Sequence, residues 1–213
     1  MSFLRTCLKS FYYDKRTHVV LFSSTAIALY GYGQGMVSII NTNFNYLHTT
    51  GIGGESSVVG IIVSVYYVGC ALSAVFFSWF ADRYGRKISI FLCLATASIG
   101  NVTMFLAGLG YTRGASVVIY LGRIAMGLEV GGMDSVIPIY SSELMDDEAR
   151  GKAMAQEFQP NILGLVMALE INFGVTRALS KRNQWAWRPP ITIMQVYPVL
   201  LIAFIKRLPG FPR

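Results

Sequence analysis

The sequence predicts an all-α membrane protein built from six transmembrane helices, and three observations predict it. First, 54% of the 213 residues are hydrophobic and only 14% are charged, where a soluble domain carries about a quarter charged residues. Second, six apolar runs are each near the ~20 residues that a helix needs to cross the hydrocarbon core. Third, the basic residues behind the net charge of +7 fall in short clusters between these runs. That is the pattern by which membrane proteins fix their orientation, not the continuous patch of a nucleic-acid binder.

The spans are expected at about 18–40, 58–80, 88–110, 116–139, 153–175 and 187–205. The first three are uninterrupted by charge. The fourth carries Arg123, Glu129 and Asp134, the fifth carries Glu170, and the sixth is short and proline-rich. No segment alternates polar and apolar residues long enough for a membrane barrel. Pro160 and Pro198 each remove a backbone donor and bend a helix.

Orientation follows from Lys and Arg. Arg5, Lys9, Lys15, Arg16, Arg83, Arg86, Lys87, Arg150, Lys152, Lys206, Arg207 and Arg213 lie on one side. Arg113, Arg177, Lys181, Arg182 and Arg188 lie on the other. The richer side faces the cytoplasm, which places both termini there. The stretch Asn41–Ser57 has no Lys or Arg and is expected outside. The N-terminus lacks the compact apolar core and small-residue site of a cleavable signal peptide.

Several chemistries lack their residues. Cys7, Cys70 and Cys93 are scattered, without disulfide or metal spacing. His18 and His48 are the only histidines. There is no nucleophile paired with a base and no phosphate loop. No enzyme activity, metal or cofactor is expected.

Motifs carry the rest. Asp82-Arg83-Tyr84-Gly85-Arg86-Lys87 joins spans two and three, with Gly85 suited to a tight turn. Span four holds Gly122-Arg123 and Gly127, then Pro138, Tyr140, Ser142 and Glu143, followed by Arg150-Gly151-Lys152. Trp187-Arg188-Pro189-Pro190 opens span six, and Leu208-Pro209-Gly210-Phe211-Pro212-Arg213 ends the chain. In order and spacing these resemble the sugar porter family of the major facilitator superfamily. Tyr30-Gly31-Tyr32-Gly33-Gln34-Gly35 is similar to the fungal form of that family's first-span motif.

The resemblance implies the N-terminal half of the major facilitator fold. Residues 1–17 would be a cytoplasmic segment, 18–206 the six-helix bundle and 207–213 the start of a cytoplasmic linker. A second six-helix bundle, in cis or on another chain, would complete the central cavity. The implied function is transport of a sugar or sugar-like solute by alternating access, in the plasma membrane. A sensor that binds sugar without carrying it belongs to the same family, but usually has long cytoplasmic tails.

Site residues carry over one by one. Asp82, Arg83, Arg86, Glu143 and Arg150 would form a cytoplasmic ion-pair network that holds one conformational state. In proton-coupled members the counterpart of Arg123 faces an aspartate in span one; here that position is Gly33. The resemblance therefore implies facilitated diffusion. Proton symport through Glu129 is the alternative, and the sequence leaves open whether Glu129 faces the cavity, water or a neighbouring helix. Two glutamines that bind sugar in span five correspond to Phe158 and Leu165, with Asn161 between them on the same face. Tyr30, Phe158 and Asn161 are the expected cavity lining.

Overall fold

The computed structural model describes residues 15–49, 56–107, 115–144, 150–179, 185 and 187–205; a few side chains inside these ranges, Arg150 among them, are not described. These residues are almost entirely helical. Helix α1 spans Lys15–Ile40, α2 Phe44–Thr49, α3 Ser56–Tyr84, α4 Arg86–Leu106, α5 Ala115–Leu144, α6 Arg150–Leu179 and α7 Arg188–Phe204.

The six long helices overlap the six ranges expected from sequence. Among the described residues, α3, α4, α5 and most of α6 are long and apolar enough to cross a bilayer. Helix α1 has the length, at 26 residues, but Ser23, Ser24, Tyr30, Tyr32 and Gln34 dilute its apolar character. Helix α7 has 17 residues and is the shortest of the six. Helix α4 ends at Leu106, short of the expected 110, and 108–110 lie outside the described residues.

Two close pairings organise the bundle. Helix α1 packs along α6, and α3 packs along α5; α4 lies on α5, and α7 rests on α4 and α1. Water cannot drive this association within a bilayer, so close backbone approach does. A methyl added at Gly31 would collide with the Asn161 backbone, and one at Gly131 would collide with the Cys70 carbonyl and the Ser73 hydroxyl. Ser73 donates to Cys70 O at 3.0 Å and reaches Gly127 O at 3.4 Å, tying α3 to α5.

Between α3 and α4 there is one linking residue. Gly85 has φ 100°, a conformation that costs other L-residues strain, and its carbonyl accepts the Ser89 amide at 3.3 Å. At the opposite end, Tyr46 of α2 meets buried Trp187 edge-on, with ring centroids 5.3 Å apart. The Arg188 guanidinium lies 4.6 Å from the Trp187 ring. Prolines at the first turn of α7 sit where backbone donors lack helical partners anyway. The Trp187-Arg188-Pro189-Pro190 motif is thus a buried plug over one end of the bundle.

Candidate functional site

Two places combine polar chemistry with access: a groove along α1, and an ion pair at the Gly85 end.

The first-span motif builds the groove. Alternate residues of Tyr30–Gly35 point different ways around α1. Gly31 and Gly35 admit the α6 backbone, and Gly33 faces Met194, whose terminal methyl would lie 2.8 Å from an added Cβ. Tyr32 is buried; its hydroxyl donates to Pro190 O at 3.1 Å, and its ring lies 5.8 Å from that of Tyr197. Tyr30 and Gln34, one turn apart, remain half-buried, and Ser38 beyond them is exposed. Helix α3 presents Ser64 and Tyr67 at helical spacing, both exposed. Helix α5 contributes Asp134, also exposed, which lines a crevice against α1 with Tyr30, Val130 and Met133. Tyr30 lies within electrostatic reach of both Asp134 and Tyr67.

The expected lining residues are placed unevenly. Asn161 is half-buried against Gly31 in the α1–α6 contact. Phe158, one turn earlier on α6, is 43% exposed. Tyr67 and Asp134 lie within reach of Tyr30 at the groove, and neither is among the expected lining residues. A signal was available: a carboxylate within an apolar span usually has a partner or a job.

Arg123 is 4% exposed and lies 5.2 Å from the Tyr66 ring centroid. Its Nε has no hydrogen-bond partner among the described residues. Gly33 is directed at Met194 and Met126, so an aromatic face on α3 occupies the role of partner. Glu129 is 1% exposed, and neither carboxyl oxygen has a hydrogen-bond partner among the described residues. It lies within electrostatic reach of Tyr66, Cys70 and Cys93, hence between α3 and α4. Of the orientations left open by sequence, the neighbouring-helix one is realised.

At the Gly85 end, Arg86 Nη2 contacts Glu143 Oε1 at 2.6 Å and Asp82 Oδ1 at 3.4 Å. The start of α4 is thereby tied to the last turns of α5 and α3. Among the described side chains this contact set joins Asp82, Arg86 and Glu143. Consecutive helical residues diverge by ~100°, so Arg83 turns away from Asp82 and stacks over Trp79 at 5.6 Å. The Arg150 side chain lies outside the described residues.

Comparison with known proteins matches this architecture. The family model "Sugar (and other) transporter" covers residues 19–213. "Sugar transporter STL1" of Saccharomyces cerevisiae is 31% identical over 93% of this chain and 35% of its own length. "High glucose sensor RGT2" of the same yeast is 28% identical over 92% of this chain and 25% of its own. The Bacillus subtilis "Putative metabolite transport protein YncC" is 28% identical over 94% and 41%. Among solved structures, the inward-open xylose transporter XylE from E. coli superposes with TM-score 0.81 at 22% identity, covering 93% of this chain and 49% of that one. XylE bound to 6-bromo-6-deoxy-D-glucose gives 0.77 at 22% identity, covering 92% and 45%. The chain thus spans about a third of these curated relatives and half of the solved structures, and its fold corresponds to the N-terminal half of the major facilitator fold. It is a multi-pass membrane protein and belongs to the sugar (and other) transporter family.

Proposed function

We propose that this chain forms one half of a carrier that moves a sugar or sugar-like solute by alternating access, with its solute path along the α1 groove. The observation that carries this reading is the groove itself. Tyr30, Gln34, Tyr67 and Asp134 cluster on the accessible side of tightly packed helices. Hydroxyl-rich solutes need paired acceptors and donors together with an aromatic face. Tyr30, Asn161 and Phe158 belong to the same wall in this reading.

A second six-helix bundle, in cis beyond the linker at 207–213 or on another chain, supplies the opposite wall. Two features support it. Helices α3 and α6 leave most of their apolar length uncovered. Glu170 sits on the exposed side of α6 among Leu163, Val166, Met167 and Phe173, and an ionisable group at membrane depth calls for a protein or aqueous neighbour, not lipid. The Arg86–Glu143 pair acts as a latch that favours one of two states, because a contact made in only one state biases the equilibrium toward it. Both termini are cytoplasmic, and the membrane is the plasma membrane.

Facilitated diffusion fits the surroundings of Arg123, which lies over the Tyr66 ring, and of Gly33, which faces Met194 and Met126 with no coupling carboxylate at that position. Proton symport through Glu129 is the second reading, favoured by its buried carboxyl without hydrogen-bond partners. The experiment is to sequence the native transcript past the codon for Arg213, then express that reading frame in hexose-uptake-deficient yeast. Labelled hexoses, pentoses and hexitols are offered at several external pH values. Uptake of at least one class, without a fall in internal pH, is expected. A fall in internal pH on solute addition would move the coupling to Glu129, and no uptake from protein at the cell surface would reject carriage.

A further inference from the structure

Among the described side chains, three carboxylates lie within the membrane-spanning parts of the helices, Glu129, Asp134 and Glu170, and their surroundings differ. Glu129 is enclosed between α3 and α4. Glu170 is on the outer side of α6. Asp134 alone opens onto the crevice between α1 and α5, beside Tyr30. It makes no ion pair or hydrogen bond with another described residue. Tyr30 on α1 and Cys70 on α3 lie within its electrostatic reach, and Gln34 and Tyr67 lie within reach of Tyr30. None of these is cationic. Arg123, the basic residue on the same helix, is eleven residues away, about 16 Å along the axis.

A carboxylate held at membrane depth without a counter-charge is costly. It is also an acceptor-only group, with two oxygens that can each take a hydrogen bond. Two hydroxyls on neighbouring carbons of one solute present two donors at matching separation. The aromatic rings of Tyr30 and Tyr67 offer apolar faces for the C–H side of the same solute. We propose that Asp134 is the solute-ordering residue of this groove: its carboxylate accepts a pair of hydrogen bonds from adjacent hydroxyls of a neutral, polyhydroxylated solute whose carbon face lies against Tyr30 and Tyr67. The proposal rests on the transport reading above and names the contact that selects the solute.

Hydrogen bonds to a charged acceptor are about twice as strong as neutral ones, so loss of the charge costs about tenfold or more in affinity. The test uses the complete carrier in hexose-uptake-deficient yeast, with surface protein measured by an epitope tag. Asp134→Asn keeps the shape and removes the charge. Its KM for the transported sugar should rise at least tenfold. Ser135→Ala, whose hydroxyl bonds to Gly131 and Gly132 carbonyls of its own helix at 3.0 Å, should leave KM unchanged. Independently of any variant, a set of singly deoxygenated sugars competes with the labelled parent on the wild-type carrier. Two adjacent positions should each cost about tenfold in competition, and this preference should collapse in Asp134→Asn. A wild-type KM in Asp134→Asn, or uniformly small losses at every deoxy position of the wild type, would overturn the assignment while leaving carriage intact. Stronger competition by organic cations than by sugars would also overturn it. A wild-type carrier that moves no sugar would remove the transport reading and the assignment with it.

Discussion

The contact between Arg86 and Glu143 permits a worked estimate. The N–O distance is 2.6 Å, and the two side chains are 19% and 38% exposed. Two unit charges 4 Å apart attract by about 1 kcal/mol in a water-like dielectric, and the shorter distance raises this. The exposure of Glu143 and the entropy of fixing two long side chains lower it again. The net coupling is therefore about 1 kcal/mol, a factor of about five in an equilibrium constant. The contact to Asp82, at 3.4 Å with that side chain 73% exposed, adds only about a few tenths. A double-mutant cycle over Arg86→Ala and Glu143→Ala isolates the pair. Reversible unfolding in mixed lipid–detergent micelles is the assay. The account expects the two single variants to lose more together than the double variant loses, by about 1 kcal/mol. Strict additivity, with a coupling below about 0.3 kcal/mol, would refute the reasoning that this pair ties α4 to α5.

Further outcomes follow from the same geometry. Gly131→Ala drives a methyl into the Cys70 carbonyl and the Ser73 hydroxyl, and should destabilise the α3–α5 contact by about 1–3 kcal/mol in the same unfolding assay. Gly85→Ala meets no neighbouring atom within 4 Å but must adopt φ 100° with ψ 146°, a region essentially reserved for glycine, so its loss should be about 1–3 kcal/mol, from backbone strain alone. Tyr32→Phe removes the buried hydrogen bond to Pro190 O and should cost about 0.5–1.5 kcal/mol, the net worth of one such bond, because that carbonyl stays within the first turn of α7. Glu129→Gln replaces a buried carboxyl that has no hydrogen-bond partner among the described residues. Melting curves should show it no less stable than the parent, because removing an uncompensated buried charge is not a loss.

The helices were legible because crossing a bilayer demands long apolar runs, and such runs stand out in composition. The starts of α3 and α4, at Ser56 and Arg86, fall two residues from the expected Val58 and Ile88. The faces of those helices were not legible. A helix surrounded by lipid is apolar all round, so periodicity does not separate the packed side from the exposed one. Glu129 and Asp134 illustrate this. They are five residues apart on α5, and only the packing of α1, α3 and α4 decides that the first is enclosed and the second opens onto the groove. The same holds for Arg123, whose neighbour Tyr66 lies on another helix. The glycines of Tyr30–Gly35 were recognised as a motif, while their mechanical task, admitting α6 and α7 against α1, needed the packed bundle. The turn at Gly85 and the Asp82–Arg86 contact are local in sequence, whereas Arg86 and Glu143 lie on different helices and only the resemblance of their motifs suggested the pair.

The central claim is that the groove belongs to a carrier that alternates between two faces of a membrane. Counterflow tests it most directly. Proteoliposomes holding the complete carrier are loaded with an unlabelled sugar and diluted into a trace of the labelled one. The account predicts a transient accumulation of label above equilibrium, without any imposed pH gradient and without a change in internal pH. Label that enters no faster in loaded than in empty vesicles, with the protein verified as inserted and folded, would contradict it.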